Sequence, residues 1–160
     1  MAICAWISIP GQFPFTLQTM GVFLAVGLLG GKRGTVAVLV YILMGAVGLP
    51  VFSGFAGGLG KLLGMTGGYI VGFLVSALLM WAMEALFGSK KWVLPVSMVV
   101  GLIACYAFGT AWFMVVYTSS KGAITLGAVL GMCVIPYIIP DAVKIAVALL
   151  LTKALKRFVK

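Results

Sequence analysis

The chain has 160 residues, 64% of them apolar and 8% charged, against roughly 25% charged in an ordinary soluble domain. A globule of this composition cannot cover its surface with polar groups. Its formal charge of +9 is scattered between hydrophobic runs, which points to membrane orientation and away from a nucleic-acid partner. Residues 35–60, 62–83 and 92–120 contain no Asp, Glu, Lys or Arg. A bilayer core about 30 Å thick needs about 20 mostly apolar residues per helix. The composition therefore predicts an all-α polytopic membrane protein.

The predicted elements follow the punctuation. Met1 to Ile9 is apolar but short, and Pro10-Gly11-Gln12-Phe13-Pro14 breaks it. A second segment runs from Phe15 to Leu29 and stops at Gly30-Gly31-Lys32-Arg33. A third covers Thr35 to Leu49 and ends at Pro50, followed by a glycine-rich loop from Ser53 through Gly68. Helices are then expected over Tyr69 to Phe87 and Val93 to Tyr117. A shorter apolar piece, Ala123 to Val134, leads through Pro136 and Pro140 to a last helix over Asp141 to Leu155.

Counting basic residues by loop sets an expected orientation. With a cytoplasmic C-terminus, Lys32, Arg33, Lys90, Lys91, Lys153, Lys156, Arg157 and Lys160 share the inner side, and Lys61 and Lys121 the outer. That arrangement needs six spans with both termini inside, Met1–Ile9 being the end of a first helix and Ala123–Val134 non-spanning. Nine residues rise only about 13 Å, so the first span is expected to be partial, the chain beginning partway along it. No basic region precedes it and no small-residue cleavage site follows, unlike a signal peptide. The whole of residues 1–160 is expected to be one transmembrane domain in the plasma membrane.

Two charges stand inside the last apolar segment. Asp141 and Lys144 are three residues apart, which places them on one helix face, and ionisable residues inside a membrane segment are expensive and tend to serve function. Asp141 follows Pro140 and is expected at a helix N-terminus, where its charge is favoured. The alternative is an N-cap with a structural ion pair. Glu84, near Lys90–Lys91, is expected to be an interfacial charge or a partner contact. Gln12 and Gln18 are the two glutamines of the chain, both in the first outer loop region, and aromatic residues surround these loops.

Catalysis has no support in the sequence. There is no His, and Cys4, Cys105 and Cys133 lie in apolar sequence without the spacing of a zinc or disulfide framework. The two acids fall on different helices and no hydroxyl has a candidate base. Gly60-Lys61 is followed by Leu62, with Phe55 five residues before Gly60, so the phosphate-binding Walker A pattern does not match. Neither a metal, a cofactor nor an ATPase site is expected.

Four blocks nonetheless resemble a known family. Pro14-Phe15-Thr16-Leu17-Gln18-Thr19, Gly45-Ala46-Val47-Gly48-Leu49-Pro50-Val51-Phe52, Gly67-Gly68-Tyr69 and Ile139-Pro140-Asp141-Ala142-Val143-Lys144 resemble the biotin-specific BioY subunits. These are the substrate-binding S components of energy-coupling factor (ECF) transporters. The resemblance implies a six-helix S-component fold, a biotin site near the extracellular face and loops that gate it. It also implies a transmembrane T component and a pair of cytoplasmic ATPases as partners. The family's acid and lysine at the start of helix 6 fall on Asp141 and Lys144.

Biotin offers a ureido ring with two N–H donors and a carbonyl acceptor, a thioether ring and a carboxylate. A carboxylate at Asp141 suits the ureido N–H groups, and the Lys144 ammonium suits the carbonyl or the carboxylate. Thr16 and Gln18 are expected to contribute polar contacts, and Gly68 a close backbone approach. Phe15, Phe55, Tyr69 and Trp112 are expected to wall the apolar body of the vitamin, lipid or core packing being the alternative for each. Some members of the family use a pocket Asn, which this chain lacks; a backbone group, Gln18 or water is expected in its place. The family docks on its T component through small residues of helix 1, here reduced to Ala2 and Ala5. Two other assignments compete: an S component for another vitamin or a biotin precursor, and a structural membrane protein in which Asp141 and Lys144 merely fix packing.

Overall fold

The computed structural model describes residues 1–9 and 15–158. Gln12, Phe13, Pro14 and Lys160 lie outside the described residues. Eight α-helices and one two-stranded ribbon are described. The chain opens with α1 (Ala2–Trp6), then β1 (Ser8–Ile9) pairs antiparallel with β2 (Phe15–Thr16), Ser8 facing Thr16 and Ile9 facing Phe15. The Met1–Ile9 segment is thus helical for five residues only. Its remainder doubles back as a hairpin, which hydropathy could not distinguish from a continuing helix.

Helices α2 (Gln18–Leu29) and α3 (Gly31–Ala46) are separated by Gly30 alone. Gly30 takes φ 82°, a left-handed value that glycine adopts without a side-chain clash, so one residue makes the turn. Lys32 and Arg33, expected in a loop, therefore lie in the first turn of α3. Positive side chains oppose the helix dipole there, and Glu84 answers it by accepting a hydrogen bond from the Gly31 N–H.

The glycine-rich stretch is more ordered than a loop. It contains a 3-10 turn at Ser53–Phe55 and α4 (Leu59–Leu63), and α5 (Gly67–Phe87) begins two residues before Tyr69. Helix α6 (Val93–Lys121) returns antiparallel to α5 and makes the most extensive helix pair of the molecule. Their axes approach closely because glycines meet side chains across the seam. A Cβ on Gly72 would stand 3.0 Å from Cys105 Sγ, and one on Gly109 would overlap the Tyr69 ring. Small residues serve this purpose where lipid cannot drive helices together.

Helix α7 (Leu126–Cys133) runs into α8 (Ile135–Leu155) across a 42° bend. The last helix was expected to start at Asp141; it starts six residues earlier, at Ile135. Pro136 occupies the first turn, where its missing N–H costs nothing, and Pro140 forfeits only a single main-chain bond further in. Asp141 is consequently a mid-helix residue, not an N-cap.

By length and composition, α5 and α6 can each cross a membrane, and the bent α7–α8 pair is long and apolar enough for a third, broken span or a re-entrant loop. Helix α2, with 12 residues, rises about 18 Å and α3, with 16, about 24 Å, both short of a 30 Å core. Two or three spans are what helix lengths give, against the six expected. The core between α2, α3, α5, α6 and α8 is built on Phe23, Val38, Ala77, Met80, Met98 and Ala148, with Phe52 from the loop after α3. A smaller cluster of Phe113, Val129 and Cys133 seats α7 on α6.

Candidate functional site

A single polar feature interrupts the apolar interior near the hairpin end. Successive buried positions on α8 are Asp141, Lys144, Ile145, Ala148 and Thr152, the 3.6-residue period of one inward face. Asp141 and Lys144 are only 3% and 5% exposed. Charges so buried need partners, and each has them. Lys144 Nζ donates to Asp141 Oδ1 at 2.6 Å, an ion pair along the helix. Thr19 Oγ1, from the second residue of α2, donates to the same oxygen at 3.2 Å. Tyr106, from the middle of α6, donates its phenol hydrogen to Asp141 Oδ2.

The ammonium also lies over the face of Phe15, 4.2 Å from the ring centroid, a cation–π contact. Phe15 in turn stacks on Tyr137 with centroids 6.4 Å apart. Around the pair is a cavity of about 110 Å³. The hairpin and α2 supply Thr16, Gln18 and Thr19; the turns between α3 and α5 supply Ser53 and Thr66. Helix α5 adds Tyr69, Ile70 and Phe73, α6 adds Cys105 and Tyr106, and α7 and α8 close it with Cys133, Tyr137, Asp141 and Lys144. One carboxylate, one ammonium and several hydroxyls against apolar walls suit a small neutral ring bearing both donors and acceptors.

A chain of hydrogen bonds holds the outer edge. Thr16 Oγ1 donates to Gln18 Oε1 at 3.3 Å, Gln18 Nε2 to Tyr41 Oη at 2.6 Å, and Tyr41 Oη to the Val51 carbonyl at 2.8 Å. Trp6 Nε1 reaches the Pro50 carbonyl at 2.8 Å. The hairpin is thereby tied to the loop after α3.

Most of the expected site residues meet here. Asp141, Lys144, Gln18, Thr16 and Tyr69 all line the cavity, and Phe15 covers Lys144. Three do not reach it. Phe55 is 64% exposed and stacks on Trp6 at 5.2 Å, outside the lining, because φ 56° at Phe55 swings its side chain off the turn. Trp112 instead spends its indole N–H on the Gly64 carbonyl at 3.1 Å. Gly68 packs directly beneath it, where any Cβ would overlap the indole. These two hold the turn leading into α5 and touch the site through that turn. Ala5 is fully buried, and half-buried Ala2 packs on the core.

Sequence reasoning missed Tyr106, Thr19 and Tyr137. A tyrosine at the centre of a 29-residue apolar helix carries a signal, since a phenol in hydrocarbon needs a partner. Thr19 lay within a block already singled out, one residue past Gln18. Glu84, at the far end of α5, is a capping residue. Beyond Gly31 it accepts from Ser89 Oγ at 3.3 Å.

Comparison with known proteins agrees with this architecture. The family model described as "BioY family" matches residues 1–160. The chain belongs to the BioY family. Among BioY proteins, "Biotin transporter BioY" of Thermotoga maritima is 41% identical, the match covering 98% of this chain and 89% of that protein. "Probable biotin transporter BioY" of Pyrococcus horikoshii is 37% identical, over 91% of this chain and 82% of its own. The crystal structure of an S component for biotin from an ECF-type ABC transporter superposes with a TM-score of 0.82 at 27% identity, covering 98% of this chain and 84% of that one. The BioY chain described here thus shares its fold with an S component and is a membrane protein.

Proposed function

We propose that this chain binds biotin in the cavity around Asp141 and Lys144 and carries it inward as the S component of an ECF-type importer. The observation that carries the assignment is the division of labour at the Asp141 carboxylate. Lys144 and Thr19 occupy Oδ1, whereas among the described bonds Oδ2 accepts from Tyr106. A carboxylate oxygen takes two donors comfortably, so Oδ2 has room for a ureido N–H. Lys144 keeps two further N–H donors for the ureido carbonyl or the biotin carboxylate. Ile70 and Phe73 supply apolar wall for the thioether ring, and Thr16 and Gln18 bring polar groups to the mouth.

In this assignment residues 1–160 form one substrate-binding domain with six membrane helices, α1, α2, α3, α5, α6 and α8, of which five-residue α1 enters the bilayer only partway and α2 and α3 are met by local bilayer thinning. Lys32, Arg33, Lys90, Lys91, Lys153, Lys156 and Arg157 mark the cytoplasmic end together with the C-terminus, in keeping with the positive-inside rule. A transmembrane T component and cytoplasmic ATPases supply the coupling, since no motif of this chain cradles a nucleotide. A purely structural role for Asp141 and Lys144 is disfavoured by the cavity they line, and a cargo without a ureido group would not use the vacant side of Oδ2.

Titration of detergent-purified protein with biotin, read by heat and by tryptophan fluorescence, tests the assignment. Saturable binding that D141A abolishes supports it. Binding that D141A leaves intact moves the polar contacts elsewhere, and absence of binding by the wild type overturns it.

A further inference from the structure

The same helices that build the biotin cavity enclose a second cleft at their opposite ends. Along α8, Thr152 and Lys156 lie about 16 and 22 Å beyond Asp141. This cleft, about 490 Å³, is over four times the volume of the cavity around Asp141. Its floor is apolar, with Val26, Met80 and Val93, and its rim carries Lys90 and Lys91 from the α5–α6 turn and Lys153 and Lys156 from the end of α8.

The charges at this rim are unbalanced. Among the described residues the one ion pair is Lys144–Asp141, so none of the four lysines is neutralised. Glu84 also borders the cleft, its carboxylate held by the Gly31 N–H and the Ser89 hydroxyl, which sets one negative charge against the four lysines. At the floor, Thr152 is fully buried and its hydroxyl has no hydrogen-bond partner among the described residues. A buried hydroxyl without a partner costs free energy that a ligand oxygen would recover. Ser97, also buried at the floor, is satisfied by the Leu94 carbonyl at 2.8 Å.

We propose that this cleft binds a phosphate group, that of an anionic phospholipid headgroup, with lysines from two separate elements around the phosphate and the apolar floor beneath the glycerol and first methylenes. Lysines converging from different helices at the end of a membrane bundle make a headgroup site. Free phosphate shares the charge but has no use for Val26, Met80 and Val93, which favours the lipid.

Native mass spectrometry of protein in an uncharged detergent tests this, with phosphatidylglycerol and phosphatidylcholine of identical acyl chains. Wild-type protein should retain phosphatidylglycerol in preference by about tenfold, and K153Q/K156Q should lose that preference. K61Q/K121Q, which removes the same charge from the other side, should keep it. Equal retention by K153Q/K156Q and wild type, or equal loss in both double variants, overturns the proposal. Inorganic phosphate in hundredfold excess decides the source. Failure to displace the lipid upholds the headgroup assignment, and displacement reassigns the cleft to soluble phosphate. If K153Q/K156Q retains lipid but no longer co-purifies with ATPase subunits, the cleft is a protein contact and the lipid assignment falls.

Discussion

Tyr106 donates to the one carboxylate oxygen of Asp141 that Lys144 does not touch. The acid of α8 is thereby held from two directions, by its own helix through Lys144 and by α6 through the phenol. Both oxygens keep a fixed orientation inside a largely apolar bundle, and a ligand arriving from the hairpin side meets an acceptor already aimed.

Replacing Tyr106 by Phe removes a hydrogen bond to a charged acceptor, worth about 1.5–3 kcal/mol. Thermal unfolding should register that loss, and biotin affinity by calorimetry should fall about tenfold as Oδ2 loses the bond that aims it. A variant that loses stability while binding biotin as tightly as wild type would show the phenol to be purely architectural.

The ion pair separates stability from binding. K144A leaves a buried carboxylate served by Thr19 and Tyr106 only, a loss of about 3–5 kcal/mol in unfolding free energy. D141L/K144M leaves no charge buried but takes the acceptor from the Thr19 and Tyr106 hydroxyls, so it should unfold with a smaller loss than K144A. The same double variant should show no biotin heat at all. Recovery of binding in it would exclude the pair from the site.

Phe55 and Trp112 are predicted to differ. F55A acts on an exposed ring and should change biotin affinity no more than about twofold. W112F deletes the bond to the Gly64 carbonyl, costing about 1 kcal/mol, and loosens the turn that positions Thr66 and Tyr69. Its affinity should drop about fivefold, with slower association in stopped-flow traces if the turn must first re-form.

At the opposite end, E84Q weakens the cap on α3 and should lower stability by about 1 kcal/mol. Glu84 lies about 22 Å along α5 from Tyr69, so biotin affinity should match wild type. A binding defect in E84Q would mean that the two ends communicate.

The helix positions were legible in the sequence because charge-free runs of membrane length have one economical conformation. Asp141 and Lys144 were legible for the opposite reason, as charges where hydrocarbon is expected. Boundaries failed where proline and glycine were read as stops. Pro140 sits inside α8 because an early helix position forfeits little, and Gly30 alone makes a turn that seemed to need four residues. Tyr106 was passed over because an uncharged phenol hardly alters hydropathy, although its hydrogen-bond demand in lipid is as strict as a charge's. Aromatic walls were the least legible. Phe55 and Phe15 look alike in sequence, and only backbone direction sends one outward and the other over Lys144.

The hydrogen-bond chain from Thr16 through Gln18 and Tyr41 to the Val51 carbonyl has a consequence for traffic into the cavity. Its middle member, Gln18, both closes the latch and lines the chamber behind it. A vitamin group that takes the Gln18 N–H now given to Tyr41 releases the hairpin from the loop it is fastened to. Occupancy and unlatching are then a single equilibrium read from two sides, and linkage makes the effect mutual. A cargo that ignores Gln18 would fill the chamber without ever drawing the bolt.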